Sequence, residues 1–452
     1  MRAPHSRPFR FGCPTVDSTK EVAALTNPEH VIRSGSGNLH HPRRHAAAHT
    51  DDYVFSQLIP YIGNKRKLLH LIEDAVRLTG CDGGTFVDLF TGSTVVGRWA
   101  KKRGFRVVAN DWEPYSQQIA MGTIVPNQVP AFKRLGGVDS VFETLDELPP
   151  LHGYVAKHLC PANDDHPDLE RERLFFTREN GERIDAIGEQ IHRWSQDGLI
   201  DDLEKAHLLA ALVYAVSYAS NTSGVFKGFH HGWGGKTGTA LHRIRGRLVL
   251  QKPLVHDNGL ENLAFRSDAH DLASRLPEAC GTRPDIVYID PPYNQHPYGS
   301  NYHVLNTVVL WDKPDVNPSV IVDGRKYEKS AIRKDWRTER RSPYNAAQEA
   351  PRAFDELVGS VEARWALVSY STDGNIPLPE LLLSLARRGD VRVVTSTYKR
   401  YRVSTPRMSE KPLNIEFVAV LDLDGPPCPD RVPHLQRKIM QHEEDALARS
   451  EG

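Results

Sequence analysis

Short apolar runs alternate with longer segments of helical periodicity between residues 53 and 423. The runs at 85–88, 106–109 and 286–289 are short and rich in β-branched residues, as buried strands are. Apolar positions recur at helical spacing over 95–102 and 203–218, which predicts amphipathic or buried helices. This alternation of strands and helices indicates an α/β fold around a largely parallel sheet.

The run at 286–289 stops abruptly at Asp290-Pro291-Pro292-Tyr293. Proline has no N–H for a sheet ladder, so the tetrad should lie at the carboxyl edge of the sheet, where open α/β folds bind ligands. The Asp290 carboxylate and the Pro291 carbonyl are suited to accept hydrogen bonds from an amine on a planar ring. Tyr293 offers a flat face for stacking. A plain strand-ending turn is the alternative, because loops rich in Asp and Pro are common.

A tight loop of small residues follows the run at 85–88, which ends in Asp88. Phe90, Gly92 and Ser93 lie in this loop, before the helix predicted from Val95. Glycine lets the backbone approach a ligand, and the helix N-terminus adds free N–H groups. Strand-Gly-helix turns occur in many α/β proteins, so this signal alone is weak.

A second strand, at 106–109, ends in Asn110-Asp111-Trp112. An acidic residue about 20 positions after a glycine loop holds the ribose diol in dinucleotide-binding folds. Asp111 therefore predicts a nucleoside-containing ligand, with Trp112 beside it for contact with a flat ring. A surface Asp next to a core Trp is the alternative.

Lys65 lies in the segment Tyr61-Ile62-Gly63-Asn64-Lys65, which precedes an amphipathic helix through Ile72 and Val76. The helix dipole does not favour a lysine in the first helical turn. A carboxylate ligand would explain a lysine at this place, and we interpret Lys65 as functional.

The order Tyr-x-Gly-x-Lys, Asp-x-Phe-x-Gly-Ser, Asn-Asp-Trp, Ser-Asp-Ala, Asp-Pro-Pro-Tyr resembles that of the Dam-like N6-adenine-specific DNA methyltransferases, which use S-adenosylmethionine. The resemblance covers roughly residues 53–423 and includes last strands near 367–374, 398–402 and 414–418. It implies a Rossmann-like sheet with a mostly helical, inserted target-recognition region. The chain departs from the family in its long middle segment, its first fifty residues and its C-terminal tail.

Carried over position by position, the resemblance implies that Lys65 meets the cofactor carboxylate while Asp88 and Gly92 line its methionine part. Asp111 would hold the ribose and Asp268 the cofactor adenine, and the tetrad would hold the target base. The implied cofactor residues are Tyr61, Lys65, Asp88, Phe90, Gly92, Ser93, Asp111, Trp112 and Asp268, and the implied catalytic residues are Asp290, Pro291, Pro292 and Tyr293.

Basic residues are concentrated in two stretches, although the formal net charge is zero. Residues 223–252 hold six Lys or Arg and no acid, and residues 325–341 hold eight basic and three acidic side chains. A polyanion responds to such patches rather than to the total charge. Phe226, Phe229 and Trp233 alternate with glycine and lysine, a mixture suited to phosphate contact and base stacking. A flexible loop is the alternative for 221–236, and the second stretch is an alternative site for reading bases. The predicted DNA contacts are Lys227, Lys236, Arg243, Arg245, Arg247, Arg325 and Lys326.

These patterns divide the chain into four parts. Residues 1–50 are predicted to be a disordered basic tail, with a misassigned start codon as an equal explanation for them. Residues 51–125 and 260–424 are predicted to form the catalytic domain, 126–259 the inserted helical and loop region for target recognition, and 425–452 a C-terminal tail. Five scattered cysteines without a CxxC pair, no signal peptide and no apolar run near 18 residues predict a cytoplasmic protein without metal or membrane contacts.

We therefore expect a site-specific methyltransferase that acts on N6 of an adenine flipped out of double-stranded DNA. S-adenosylmethionine would be the cofactor, and a cognate restriction endonuclease is the expected partner unless the enzyme acts as an orphan. An RNA (ribosomal) N6-adenine methyltransferase shares the tetrad chemistry, and a catalytically inactive DNA-binding subunit shares the fold. The large middle insertion favours a DNA reader, and intact Asp88, Asp111 and Asp290 argue against the inactive subunit.

Overall fold

The structure is a computed structural model that describes residues 52–236, 238, 240–295, 297–317, 320–322, 325–326, 329–333, 341–399 and 413–451. The chain divides into residues 1–50 and residues 51–452, and the architecture below is that of the second unit. The predicted tail at 1–50 lies outside the described residues.

The second unit is a mixed α/β structure. Its strands are β1 (Thr85–Asp88), β2 (Arg106–Asn110), β3 (Leu263–Phe265), β4 (Ile286–Ile289), β5 (Ile321–Val322), β6 (Arg325–Lys326), β7 (Trp365–Ser371), β8 (Asp390–Lys399) and β9 (Leu413–Asp422). Its helices are α1 (Asp52–Phe55), α2 (Leu69–Thr79), α3 (Val95–Lys102), α4 (Pro114–Thr123), α5 (Val138–Asp146), α6 (Tyr154–Leu159), α7 (Arg178–Gln196), α8 (Asp202–Ala219), α9 (Leu241–Arg245), α10 (Ala269–Ala273), α11 (Leu276–Cys280), α12 (Tyr298–Asn301), α13 (His303–Leu310), α14 (Ala350–Ser360), α15 (Leu378–Ala386) and α16 (Val432–Glu451). Single 3₁₀ turns occur at Lys65–Lys67, Lys133–Leu135, Pro343–Asn345 and Pro429–Arg431.

Seven strands form one sheet in the order β3-β2-β1-β4-β7-β9-β8. The first five are parallel to one another, and β9 runs antiparallel to both of its neighbours. The chain passes from β1 outward to β2 and β3, then returns to the other side of β1 as β4. The strand order therefore reverses between β1 and β4, which is where an open α/β sheet leaves a crevice at its carboxyl edge.

The predicted elements at 85–88, 95–102 and 286–289 agree with β1, α3 and β4, and α8 is one residue longer at each end than predicted. The expectation that Lys65 lies in a basic first turn of the amphipathic helix is wrong. Residues Lys65–Lys67 form a separate 3₁₀ turn, capped by the Asn64 side chain, and α2 begins only at Leu69. Because Lys65 does not lie in the first turn of α2, the dipole argument does not explain it.

Helices cover both faces of the sheet. Phe86 and its neighbours on one face pack against α1, α2 and α3, whereas Val87 and its neighbours on the other pack against α10, α11, α14, α15 and α16. Strands buried on both faces must be apolar throughout, which explains the unbroken runs in the sequence.

A second layer of helices lies between β2 and β3 in the sequence. Helix α8 packs against α4, α7 and α13, so it is apolar on almost every side. Its start is fixed by a capping box in which Asp201 and Glu204 each bond the other's backbone N–H. Among the residues that the structure describes, no helix combines the length and apolar composition that a membrane span requires.

The contact between α4 and α8 depends on Gly122. A Cβ atom at Gly122 would lie 2.5 Å from the Ala206 carbonyl oxygen and 3.0 Å from the Ala210 Cβ. We expect Gly122→Ala to lower the free energy of unfolding by about 1–3 kcal/mol through overpacking, despite a helix-propensity gain of about 1 kcal/mol. Urea denaturation measures this. Gly83→Ala is the control, because no atom lies within 4 Å of its added Cβ, and equal stability of the two variants would contradict the packing account.

Candidate active site

A cleft of about 910 Å³, its mouth included, opens at the carboxyl edge of the sheet. The cleft is open to solvent and is lined by aromatic rings and several carboxylates, a mixture of apolar and polar groups that is typical of small-molecule sites. Its lining includes many of the residues predicted from the motifs: Tyr61, Phe90, Asp111, Trp112, Asp268, Asp290, Pro291, Pro292 and Tyr293. The predicted residues Lys65, Asp88, Gly92 and Ser93 are buried and do not line the cleft.

Asn110 ties three strand ends together at this edge. Its side-chain Nδ2 donates to the carbonyls of Leu89 at 3.1 Å and Ser267 at 3.2 Å, and its Oδ1 accepts from the Ser267 N–H at 3.1 Å. The loops that follow β1, β2 and β3 are thereby held in a fixed relation. The sequence analysis missed this role, although Asn110 directly precedes Asp111.

Asp111 braces the glycine loop. Its Oδ2 accepts from the Gly92 N–H at 2.7 Å and the Ser116 hydroxyl at 2.9 Å, and its Oδ1 accepts from the Glu113 N–H at 2.8 Å. Gly92 has a φ of +50°, and a Cβ there would lie 2.8 Å from the Tyr61 ring, so the loop requires glycine. Asp111 also lines the cleft, beside Trp112.

Asp88, at the end of β1, is a buried carboxylate without a hydrogen-bond partner for either oxygen in the described part of the chain. Burial raises the pKa of Asp88 from 3.8 to about 7, and the carboxylates of Asp290 and Asp111 act in the same direction. The nearby Thr91 hydroxyl opposes the rise without reaching hydrogen-bonding geometry. Such a group is costly to bury unless it meets a donor or a cation.

Lys65 and Asp290 form a buried ion pair. Lys65 Nζ lies 2.9 Å from Asp290 Oδ1, and the two side chains are 3% and 16% exposed. Burial is the largest influence on the pKa of Lys65 and acts to lower it. The Asp290 carboxylate, with Tyr293, Glu416 and Tyr288, outweighs burial, and the pKa is raised well above its ordinary value. Lys65 therefore stays charged, and its Nζ also lies 5.1 Å from the centre of the Tyr293 ring.

The loop before Lys65 is clamped by two tyrosines that follow the tetrad. Tyr298 donates its hydroxyl to the Ile62 carbonyl at 3.0 Å, and the Ile62 N–H donates to the Tyr302 hydroxyl at 2.9 Å. Gly63 has a φ of +78°, and a Cβ there would lie 3.2 Å from the Tyr293 hydroxyl. The turn that carries Lys65 and the loop that carries Asp290 are thus held together.

Two asparagines outside the recognised motifs hold the tetrad loop from its other side. The Asn375 N–H donates to the Tyr293 carbonyl at 3.1 Å, and Asn345 Nδ2 donates to the Asn294 carbonyl at 2.7 Å. Tyr344, next to Asn345, lines the cleft. The segment 342–345 was not predicted, because no local pattern in the sequence marks it.

Asp268 caps helix α10 at the cleft wall, where its Oδ1 accepts from the His270 N–H at 2.8 Å. Tyr344 meets Phe90 edge to face, with ring centres 5.8 Å apart, and its hydroxyl lies 3.1 Å from His270 Nε2. Phe90, Asp268, His270 and Tyr344 thus form one connected wall with two aromatic rings.

The interpretation of Phe226 as a ring for base stacking is wrong. Phe226 is only 1% exposed and packs with Phe175 and Phe176 in the helical layer. Trp233 is half-buried, and its ring N–H donates to the Asp164 carbonyl at 2.8 Å. Lys227 and Lys236 are exposed, as phosphate contacts would need to be.

The three predicted arginines of this region contact other parts of the chain. Arg243 donates to the Tyr218 carbonyl and lies over its ring, Arg245 pairs with Asp165 at 2.7 Å, and Arg247 pairs with Asp146 at 2.8 Å. Of the remaining two predicted contacts, Arg325 and Lys326, only the backbone is described, as strand β6.

The sequence model of a family described as D12 class N6 adenine-specific DNA methyltransferase matches residues 61–334, more than half of the chain. The type II methyltransferase M.FokI of Planomicrobium okeanokoites is 31% identical over 346 residues, which are 76% of this chain and 49% of that protein. The modification methylase LlaI of Lactococcus lactis subsp. lactis is 29% identical, over 80% of this chain and 54% of its own length. This chain therefore spans about half the length of these two relatives. The type II methyltransferase M.NlaIII of Neisseria lactamica is 27% identical, over 79% of this chain and 96% of its own length.

The buried Asp88 should make stability depend on pH. Because its pKa is raised in the folded protein, the folded state binds this proton more tightly than the unfolded chain, and the free energy of unfolding falls as pH rises from 3.8 to about 7. We expect Asp88→Asn to be more stable than the wild type at pH 8, by up to about 4 kcal/mol, and by less at pH 5. Urea denaturation at both values tests this, with the exposed Asp82→Asn as control. A wild type as stable as Asp88→Asn at pH 8 would contradict the burial argument.

Proposed function

The chain belongs to the D12 class N6 adenine-specific DNA methyltransferase family, and on that premise we propose that it transfers a methyl group from S-adenosylmethionine to N6 of adenine in double-stranded DNA. The observation that carries the proposal is the half-buried carboxylate of Asp290, which is held beside Lys65 at the edge of the sheet and faces the cleft. A fixed, partly desolvated carboxylate at this place suits an amine that becomes positively charged.

The residues around the cleft suit S-adenosylmethionine, whose ammonium and sulfonium groups are cationic. Asp111 would accept from the ribose hydroxyls while it holds Gly92. Asp88 does not line the cleft, so its buried carboxylate, which lacks a hydrogen-bond partner among the described residues, would attract the ammonium group by its charge rather than through a contact that is already open. The adenine would lie near Trp112 and Asp268. When bound, this cofactor supplies an electrophilic methyl group. Three carboxylates in one region favour a cation over a neutral ligand of similar shape.

Asp290 and the Pro291 carbonyl would activate the target amine. The lone pair of adenine N6 is delocalised into the ring, so the free amine is a poor nucleophile. Hydrogen bonds from N6–H to these two oxygens draw the nitrogen towards tetrahedral geometry and hold it about 3–3.5 Å from the carbon that it attacks. The Asp290 charge then stabilises the positive charge on N6. The methylated nitrogen is acidic and loses its proton readily, so no strong general base is required.

We assign to Lys65 the role of ion-pair partner of Asp290. The resemblance had implied instead that Lys65 contacts the cofactor carboxylate. The Lys65 ammonium lies 2.9 Å from Asp290 Oδ1. Burial raises the pKa of Asp290, and the Lys65 cation opposes that rise and favours the ionised form of the carboxyl group. Oδ1 is buried, whereas the side chain as a whole is 16% exposed and lines the cleft. Lys65 would thus occupy one oxygen and leave the other for the amine.

Duplex DNA would be read by the helical middle of the chain. N6 is paired in a duplex, so the adenine must be flipped into the cleft, where Tyr293 would stack on it. We assign target recognition to residues 126–259 and phosphate contact to the exposed Lys227 and Lys236. The relatives M.FokI and M.NlaIII are named type II methyltransferases, which supports a place in a restriction–modification system, with a cognate endonuclease as partner.

Asp290→Asn tests the proposal. The amide keeps the shape of the carboxyl group but lacks the charge, so we expect the single-turnover rate of methyl transfer to fall about 10²–10³-fold. The dissociation constant for S-adenosylmethionine should stay within a few fold, as calorimetry would show. Asp82→Asn, at an exposed carboxylate, should keep the wild-type rate. A wild-type rate in Asp290→Asn, with thermal unfolding showing an intact fold, would refute the assignment.

A further inference from the structure

Glu416, in strand β9, is a buried carboxylate that the proposed reaction does not use. Its side chain is 7% exposed, and its Oε2 has no hydrogen-bond partner among the residues described. A carboxylate in such surroundings is costly unless an opposite charge lies near it. The arrangement of the strands shows which charge that is.

Strand register brings Glu416 to the side of the sheet that Lys65 occupies. Glu416 pairs with Ser371 of β7, near the carboxyl end of that strand. Side chains alternate along a strand, so Glu416 shares a face with Val418 and Val420, which belong to the cluster around α2. Tyr288 of β4 belongs to the same cluster, and Asp290 follows it by two positions. Lys65, just before α2, therefore has Asp290 and Glu416 on the same side of the sheet.

Around Lys65, carboxylates outnumber ammonium groups. Burial raises the pKa of Glu416, the Lys65 ammonium acts against the rise, and the carboxylates of Asp290 and Asp373 add to it. Glu416 in turn helps to raise the pKa of Lys65. One ammonium thus interacts with two carboxylates, the buried Glu416 and the half-buried Asp290. The trio of Lys65, Asp290 and Glu416 carries a net negative charge when ionised.

We propose that Glu416 is a positioning residue for methyl transfer, which shares the Lys65 ammonium with Asp290 and so leaves negative charge at Asp290 for the target amine. If Lys65 faced Asp290 alone, the two charges would largely cancel at the cleft, and the positive charge on N6 would gain little. A second carboxylate behind Lys65 restores the negative potential while Lys65 still orients Asp290. This inference rests on the proposed methyl transfer to adenine.

Glu416→Gln tests the inference, because glutamine keeps the size of the side chain and removes its charge. At saturating S-adenosylmethionine and duplex DNA, we expect its single-turnover rate to fall by about tenfold or more. The dissociation constants of both ligands should stay within about threefold, and the thermal unfolding midpoint should not fall. Glu416→Asp keeps the charge on a shorter arm and should recover most of the rate.

Asp285→Asn is the matched control, because Asp285 is a half-buried carboxylate directly before β4, at the opposite end of that strand from the cleft, where its Oδ2 accepts from the Thr85 N–H at 2.8 Å. It should lower the unfolding midpoint and keep the single-turnover rate.

A wild-type rate in Glu416→Gln, or a folded Glu416→Asp as slow as Glu416→Gln, would overturn the positioning role and leave the proposed function intact. If Glu416→Gln does not fold, a rate more than about tenfold below wild type in folded Glu416→Asp overturns it. A wild type that binds the cofactor but methylates no adenine would overturn both proposals.

Discussion

The site depends on the ion pair between Lys65 and Asp290, 2.9 Å apart and shielded from solvent. A buried pair adds little net stability, but loss of one partner typically costs about 3–5 kcal/mol, so both side chains must be held in place. On one side, the Asn64 cap and the Tyr298 and Tyr302 hydroxyls fix the turn before Lys65. On the other side, Asp290 directly follows β4, which ends at Ile289, so the sheet fixes the backbone that carries it.

The sequence predicted those strands and helices whose formation depends on residues close together along the chain. The strand at 286–289 and the helix at 95–102 were predictable because an apolar run and an apolar stripe are properties of neighbouring residues. The position of the tetrad at a sheet edge followed from its prolines. Membership of the family followed from the order of short motifs along the chain.

Interactions between distant residues could not be predicted in the same way. Lys65 and Asp290 were each identified, but their pairing across more than two hundred residues was not, because nothing in either motif marks the other as its partner. Glu416 lies in a predicted strand at 414–418 and Asn345 lies in a loop that no pattern marks. Neither signal indicates the tetrad, and only the packing of strands and loops brings these two residues to it. Counting charges in the middle of the chain could not predict which arginines are already paired. The carboxylate partners of Arg245 and Arg247 lie 80 and 101 residues away in the sequence. A cluster of arginines in the sequence therefore need not form a surface for DNA. Arg245 and Arg247 are exposed, as Lys227 and Lys236 are, but their charges are paired with Asp165 and Asp146.

The central claim is that the cleft between the ends of β1 and β4 brings a methyl donor and the N6 amine of adenine together. The most direct measurement is mass spectrometry of nucleosides from duplex DNA incubated with the protein and S-adenosylmethionine deuterated in its methyl group. The account predicts deuterated N6-methyldeoxyadenosine as the labelled nucleoside. Label on cytosine, label only in RNA supplied in parallel, or no transfer by protein that binds the cofactor would contradict it.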